Sequence, residues 1–314
     1  MKKIDVGISS CLLGQEVRYN GGHKRSKFCV NHLSKVFEFH PFCPEVAVGL
    51  GVPREPIRMV GELESPRVVG TVDSSIDVTD ELVAYGKEIS RYSERLSGYI
   101  LMKNSPSCGL YSAKIYRNDH PLPGKHSGMF ARTLMNESPL LPMEEEGRLN
   151  DPRLRENFIA RVFAYDDWRR CIGDHPTAKK LVDFHSRYKY FVMAHSLAAY
   201  KRLGQHVARA GVGDIQAVAN EYIEHLMLSI KKLASRKGHA NTMYHLLGYL
   251  RQEVPGNVRQ ELVKGIEDYR EGITNLAVPM ALLHHYLKMY GSDYVNAQAY
   301  LEPYAYDLGL RNTI

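Results

Sequence analysis

Three of the five cysteines sit in loops of one kind. Cys11 lies in Ser9–Ser10–Cys11–Leu12–Leu13–Gly14, Cys43 in Pro41–Phe42–Cys43–Pro44–Glu45, and Cys108 in Asn104–Ser105–Pro106–Ser107–Cys108–Gly109. Each follows a short β-rich run: Ile4–Ile8, Val36–Phe39 and Gly98–Met102. If these runs are strands of one open parallel sheet, their carboxyl ends share the edge where such sheets bind ligands, and cysteines far apart in sequence converge. Gly14, Pro44, Pro106 and Gly109 suit tight loops in which backbone N–H groups approach an inorganic core. Thiolates are ligands for soft metals: zinc, copper(I) or iron–sulfur clusters. A structural metal site normally closes with a fourth ligand, whereas three thiolates leave one position open for chemistry. There is no Cys-x-x-Cys pair, so a compact zinc finger is excluded. Taken singly, each cysteine reads better as a small buried core residue. Three in matched loops point instead to a site. Cys29, in a helical stretch, and Cys171, near a helix end beside Trp168, lack this context and read as core.

The elements that must position these cysteines belong to an α/β domain. Further strand candidates are Arg67–Val72 and Ala113–Tyr116. Leu82, Val83, Ile89, Tyr92 and Leu96 place a helix over Asp80–Leu96, with Thr79 or Asp80 as its cap, and Gly128–Met135 reads as another. Alternating strands and helices predict an open, mostly parallel, Rossmann-like sheet. Ser138–Asp151, rich in proline and acid, reads as the junction, giving an α/β domain over 1–145 and an all-α domain over 150–314. Helical patterns cover Pro152–Trp168, Pro176–His195 (Asp174 as cap), Ala199–Ala210, Ile215–Ala234, Ala240–Glu253, Val258–Glu271 and Pro279–Tyr290, broken at glycines.

Bulk properties narrow the function class. At 314 residues the chain has room for two domains. No apolar run approaches the ~20 residues of a membrane span, and Met1–Val6 leads into no apolar leader, so the expectation is a cytoplasmic protein with reduced cysteines. The net charge of +6 is uneven: residues 1–150 carry 19 Lys and Arg against 18 Asp and Glu, residues 151–314 carry 22 against 17. The basic excess therefore belongs to the helical half.

The cysteine motifs, with Val17–Arg18–Tyr19–Asn20–Gly21 and Lys103–Asn104–Ser105, resemble the bacterial thiouracil desulfurase family (TudS). The helical half, with His185–Ser186–Arg187–Tyr188–Lys189 and Tyr269–Arg270–Glu271–Gly272, resembles the domain often fused to it. As a whole the fusion is similar to the RudS-type desulfidases of 4-thiouridine in transfer RNA. The resemblance implies a 4Fe–4S cluster on Cys11, Cys43 and Cys108, a catalytic glutamate at Glu45, and a catalytic serine at Ser105, with Ser107 as the fallback. It also implies a non-redox replacement of a ring C=S by C=O, the iron without a protein ligand binding the thiocarbonyl sulfur. Without the resemblance, Glu45 reads as a first-turn carboxylate complementing a helix dipole, and Ser105 as a turn residue before proline. Arg18, Arg54 and Lys103 are candidates for steering an anionic ligand.

The helical half carries Arg169–Arg170, Lys179–Lys180, Arg187, Lys189, Lys201–Arg202, Lys231–Lys232 and Arg236–Lys237, interleaved with Tyr188, Tyr190 and Tyr200. Basic residues meet phosphates and aromatics stack on unpaired bases. By themselves they equally describe solvated helix faces over an aromatic core; the resemblance favours RNA. His185, His195, His245, His284 and His285 lack matched carboxylates, and no metal site is read from them. The expected partner is transfer RNA carrying 4-thiouridine, or small thiolated pyrimidines, with the oligomeric state open. The competing readings are a desulfidase of free thiouracil or nucleosides whose second domain dimerises, a non-enzymatic iron–sulfur RNA-binding sensor, and a zinc hydrolase.

Overall fold

The structure, a computed structural model, describes residues 2–305 and 308–314. The chain divides into two units, Met1–Asn150 and Asp151–Ile314. The first contains strands β1 (Ile4–Ser9), β2 (Phe37–Phe42), β3 (Ile57–Gly61), β4 (Pro66–Gly70), β5 (Gly98–Leu101), β6 (Ile115–Arg117), β7 (His120–Pro121) and β8 (Met143–Glu145), with helices α1 (Lys27–Asn31), α2 (Pro44–Ala47), α3 (Thr79–Tyr92) and α4 (Met129–Glu137). The main sheet has the order β2–β1–β5–β8, and all its pairings are parallel. Val6, Ile8, Tyr99, Ile100 and Leu101 on its two central strands are fully buried, as expected of parallel strands covered on both faces. The three strands that precede the cysteines are immediate neighbours in this sheet.

Three expectations for this unit need correction. The strands near Arg67 and Ala113 do not join the main sheet. They form a second, mixed sheet in the order β4–β3–β6–β7, nucleated by the β3–β4 hairpin. Only four residues separate Gly61 from Pro66, and so short a connection permits only an antiparallel return. The acid- and proline-rich stretch 138–151 is not merely a junction. It supplies β8, the edge strand beside β5, with Leu141, Met143, Glu144 and Glu145 all buried. At α3 neither Thr79 nor Asp80 caps the helix; Val78 occupies the cap position, while the Thr79 hydroxyl donates to Asp77 and accepts from the Val68 amide.

The second unit is helical among its described residues: α5 (Pro152–Cys171), α6 (Ala178–His195), α7 (Leu197–Ala208), α8 (Ile215–Ile230), α9 (Arg236–Leu247), α10 (Gly256–Glu271), α11 (Ala277–Tyr290) and α12 (Asp293–Asn296). Side-chain N-caps start five of them: Asp151, Thr177, Ser196, Asp214 and Ser235 each accept a first-turn amide. Thr177, not Asp174, begins α6, because its hydroxyl reaches the Lys180 amide. Trp168 stacks on Tyr222 and meets Phe184 edge-on at the centre of this core.

Candidate active site

Each cysteine leaves the carboxyl edge of the main sheet by a different device. After β1, a 3-10 turn over Ser10–Leu13 carries Cys11, and Gly14 ends it at φ 97°, a conformation that favours glycine. After β2, Cys43 is the N-cap residue of the single-turn α2, with Pro44 preset for its first position. Beyond β5, Cys108 sits in a loop tied on itself: the Ser105 hydroxyl accepts from the amides of Ser107 and Cys108 at 3.1 and 3.0 Å. Gly109 closes that loop, and a Cβ there would lie 2.8 Å from the Ser105 carbonyl oxygen.

The acid stretch fixes this loop from behind. Glu145 is only 3% exposed. Its Oε1 accepts from the amides of Leu110 and Tyr111 at 2.7 and 2.9 Å and from the Ser112 hydroxyl at 2.6 Å. Glu146 accepts from the Lys103 amide at 3.0 Å. These positioning residues were missed from the sequence because three consecutive glutamates after prolines look like a solvated linker. The available signal was the apolar Leu140, Leu141 and Met143 beside them.

Cys11, Cys43, Cys108, Glu45, Ser105, Arg18, Arg54, Lys103 and Asn104 all line one cavity of about 210 Å³. Ser107 does not line it; that side chain is fully buried and its hydroxyl has no hydrogen-bond partner among the described residues. Within the cavity Glu45 is held from two sides. Its Oε2 accepts from Arg54 Nη2 at 2.5 Å and Nε at 3.2 Å, and its Oε1 accepts from the Ser105 hydroxyl at 3.2 Å. Arg54 also donates to the carbonyls of Val17 and Gly51 at 3.0 and 2.9 Å, and its side chain is 4% exposed. The expectation that Arg54 steers a ligand is therefore corrected: its donors are engaged, and its role is to orient Glu45. Ser105 is equally engaged, with one proton given to Glu45 and two backbone N–H groups received, which exhausts a hydroxyl.

Burial disfavours the thiolate form of all three cysteines. Burial pushes Cys11 up to about 12, with further increase from the neighbouring Cys43. Burial likewise raises Cys43, and it raises Cys108 well above the ordinary thiol range. Such thiols are poor free nucleophiles but become thiolates when a metal displaces their protons. Soft thiolates suit zinc or an iron–sulfur cluster. The residues present fit a three-thiolate cluster, since the three cysteines line one cavity. Cys29 is buried in α1 and Cys171 lies at the end of α5 beside Asp167; neither lines the cavity.

A family model described as 2-thiouracil desulfurase matches residues 6–146. The protein YbbK of Bacillus subtilis is 37% identical over 113 residues, covering 32% of this chain and 71% of that protein. The chain belongs to the 2-thiouracil desulfurase family. In this family member a second model, described as a protein of unknown function (DUF1722), matches residues 189–305. The uncharacterised protein YbgA of Escherichia coli is 29% identical over 166 residues, covering 52% of the chain and 98% of YbgA. A solved structure titled [4Fe-4S]-dependent thiouracil desulfidase TudS is 30% identical, covers 48% of this chain and 95% of its own, and superposes with a TM-score of 0.39.

In the helical unit two of the three candidate tyrosines lie in the core, and Tyr200 is half-buried. Tyr188 and Tyr190 are buried: Tyr188 stacks on Phe184 at 4.4 Å, and the Tyr190 hydroxyl pairs with that of Tyr249 at 2.9 Å. They are core residues and do not present rings to bases. Arg187 is paired with Asp167 at 2.9 Å. Lys179, Lys180, Lys201, Arg202, Lys231, Lys232 and Lys237 are exposed. No helix of the described residues is long and apolar enough to cross a membrane.

Proposed function

We propose that the first unit is an iron–sulfur-dependent desulfidase that replaces the C=S of a thiolated uracil by C=O, and that its substrate is 4-thiouridine in transfer RNA. The observation that carries the reading is the shared cavity: three thiols from three adjacent strand ends, with a carboxylate fixed between an arginine and a serine beside them. Cys11, Cys43 and Cys108 hold the cluster. When bound, it supplies a Lewis-acidic iron with no protein ligand, suited to a thiocarbonyl sulfur.

The chain's own residues do the remaining work. The balance is C=S plus water giving C=O plus hydrogen sulfide, with no net electron transfer, so two protons must move from oxygen to sulfur. Glu45 is the group placed to carry them. Arg54 holds Oε2, which leaves Oε1 as the oxygen that accepts a proton from water. The Ser105 hydroxyl points at Oε1 and couples Glu45 to the Cys108 loop, so carboxylate and cysteine keep a fixed relation. Ser105 thus positions the base in the resting site, and donates to substrate or water only by releasing Glu45.

Transfer RNA as the substrate is supported by the net charge of the second half and by its exposed lysines and Arg202. The buried Tyr188 and Tyr190 lend it nothing, so backbone phosphates rather than bases are the expected contacts. The test is anaerobic purification with iron and sulfide analysis, then turnover on bulk transfer RNA compared with free thiouracil. Loss of 4-thiouridine from RNA at a rate far above that on the free base supports the reading. Turnover confined to the free base assigns the activity to small thiolated pyrimidines. Iron and sulfide without turnover on either leaves a sensor.

A further inference from the structure

A second donor cluster lies in the helical unit, on residues that the sequence did not single out. Among the described residues, one group of three His, Cys, Asp or Glu side chains brings its donor atoms within 4.8 Å of one another: His206, Glu221 and His225. The fold builds it from two helices. Glu221 and His225 are four residues apart on α8 and so share a face. His206 comes from α7, which packs against α8 and is joined to it by a short turn containing Gly211 and Gly213. The two imidazoles meet edge to face, with ring centroids 5.1 Å apart.

His206 Nδ1 is buried and, among the described residues, makes no hydrogen bond. It lies 3.3 Å from Glu221 Oε2. Ligands at about 2.0–2.1 Å from a tetrahedral zinc ion stand about 3.3–3.4 Å apart. The observed separation is therefore one edge of such a tetrahedron. A competing cation is Arg209, whose guanidinium is 3.8 Å from Glu221 Oε2 but 64% exposed, so it is free to swing into water when a metal arrives.

We propose that His206, Glu221 and His225 form a binding site for a divalent transition metal of the zinc class, clamping α7 to α8 and leaving a fourth position for water or an incoming ligand. Two imidazoles and a carboxylate are a borderline donor set, distinct from the soft thiolates of the first unit, so the two sites take different metals.

The test uses the full chain, purified anaerobically, equilibrated with zinc and then dialysed against metal-free buffer. Zinc is measured in the native protein, in Glu221→Gln and in His225→Ala. Any zinc on the cysteines is common to all three and cancels in the comparison. Glu221 is exposed and His225 partly so, and neither variant disturbs the core. The expected result is one equivalent of zinc fewer in each variant, with affinity weakened on the order of 100-fold or more, since even loss of a ligand's hydrogen-bond partner costs about 10–100-fold. Zinc should also raise the unfolding temperature of the native chain and not of the variants. Equal zinc content in all three proteins, or an equal thermal shift, overturns the site.

Discussion

Replacing Arg54 by methionine tests how the candidate active site is held together. The substitution keeps most of the side-chain volume and removes the partner of Glu45 Oε2, along with donors to two carbonyls. Stripping one partner from a fully buried ion pair costs about 3–5 kcal/mol; with the Glu45 side chain 16% exposed, the expected loss is roughly 2–3 kcal/mol. At a urea slope of about 2 kcal/mol/M this moves the midpoint of the first unit down by roughly 1–1.5 M. A positioned acid–base group contributes about 10²–10⁴-fold, so a Glu45 released from Arg54 should lose on the order of 10²-fold in kcat, while cluster content stays unchanged. The decisive comparison is a double-mutant cycle on thiouracil turnover. In a Glu45→Gln background, Arg54→Met should cost turnover only about threefold or less, because the group it positions is already gone. Arg54→Lys should recover part of the loss, since an ammonium supplies the charge without the fork that grips Oε2. If Arg54→Met costs as much in the Glu45→Gln background as in the native protein, Arg54 does not act through Glu45 and the positioning argument fails.

The remaining expectations can be checked on the same preparations. Cys11→Ala, Cys43→Ala and Cys108→Ala should each lose the visible cluster absorbance after anaerobic reconstitution, whereas Cys29→Ala and Cys171→Ser should keep it; full iron in Cys11→Ala sinks the ligand assignment. Glu145→Ala leaves three donors behind the Cys108 loop without an acceptor, so stability should drop by roughly 2–4 kcal/mol and cluster retention should fall; unchanged urea midpoints would show that the loop is held by other means. The helical unit should weaken in mild acid. Burial lowers His185 from its ordinary 6.5 to about 4 and drives His239 well below 6.5. The unfolded chain then binds protons that the folded one refuses, so stability falls as pH drops from about 6.5 toward 4, with each histidine contributing up to about 1.4 kcal/mol per pH unit. His185→Gln should flatten that slope by about one proton, and identical slopes for both proteins rule the effect out. Binding of transfer RNA should weaken steeply with added salt, as phosphate contacts release counterions; salt-independent affinity would remove the exposed lysines from the interface.

The three strands before the cysteines, the change from an α/β half to a helical half, and the three cysteine loops were legible in the chain, whereas β3, β7 and β8 were not. They rest on local properties: β-branched runs, helical periodicity, and glycine or proline at fixed offsets beside each cysteine. The wish of each strand to be buried was equally local, and it implied convergence at one sheet edge. What the sequence left open was which partner each side chain meets. Glu145 looked like a linker acid because nothing nearby in sequence shows that the amides of Leu110 and Tyr111 await it 35 and 34 residues away. Arg54 looked like a free cation because Glu45 is nine residues off and across a loop. Tyr188 and Tyr190 looked available to bases because helical spacing gives a face without saying what covers it, and here the core does. His206, Glu221 and His225 were dispersed among other histidines until α7 folded against α8. Residue types and periodicity are written along the chain, so they marked most of the helices, the cysteine-bearing strands and a soft-metal site, while the choice of an iron–sulfur cluster came from the family resemblance. Ion pairs, donor clusters and the choice of core over surface depend on contacts between distant segments, and only the tertiary structure decided those.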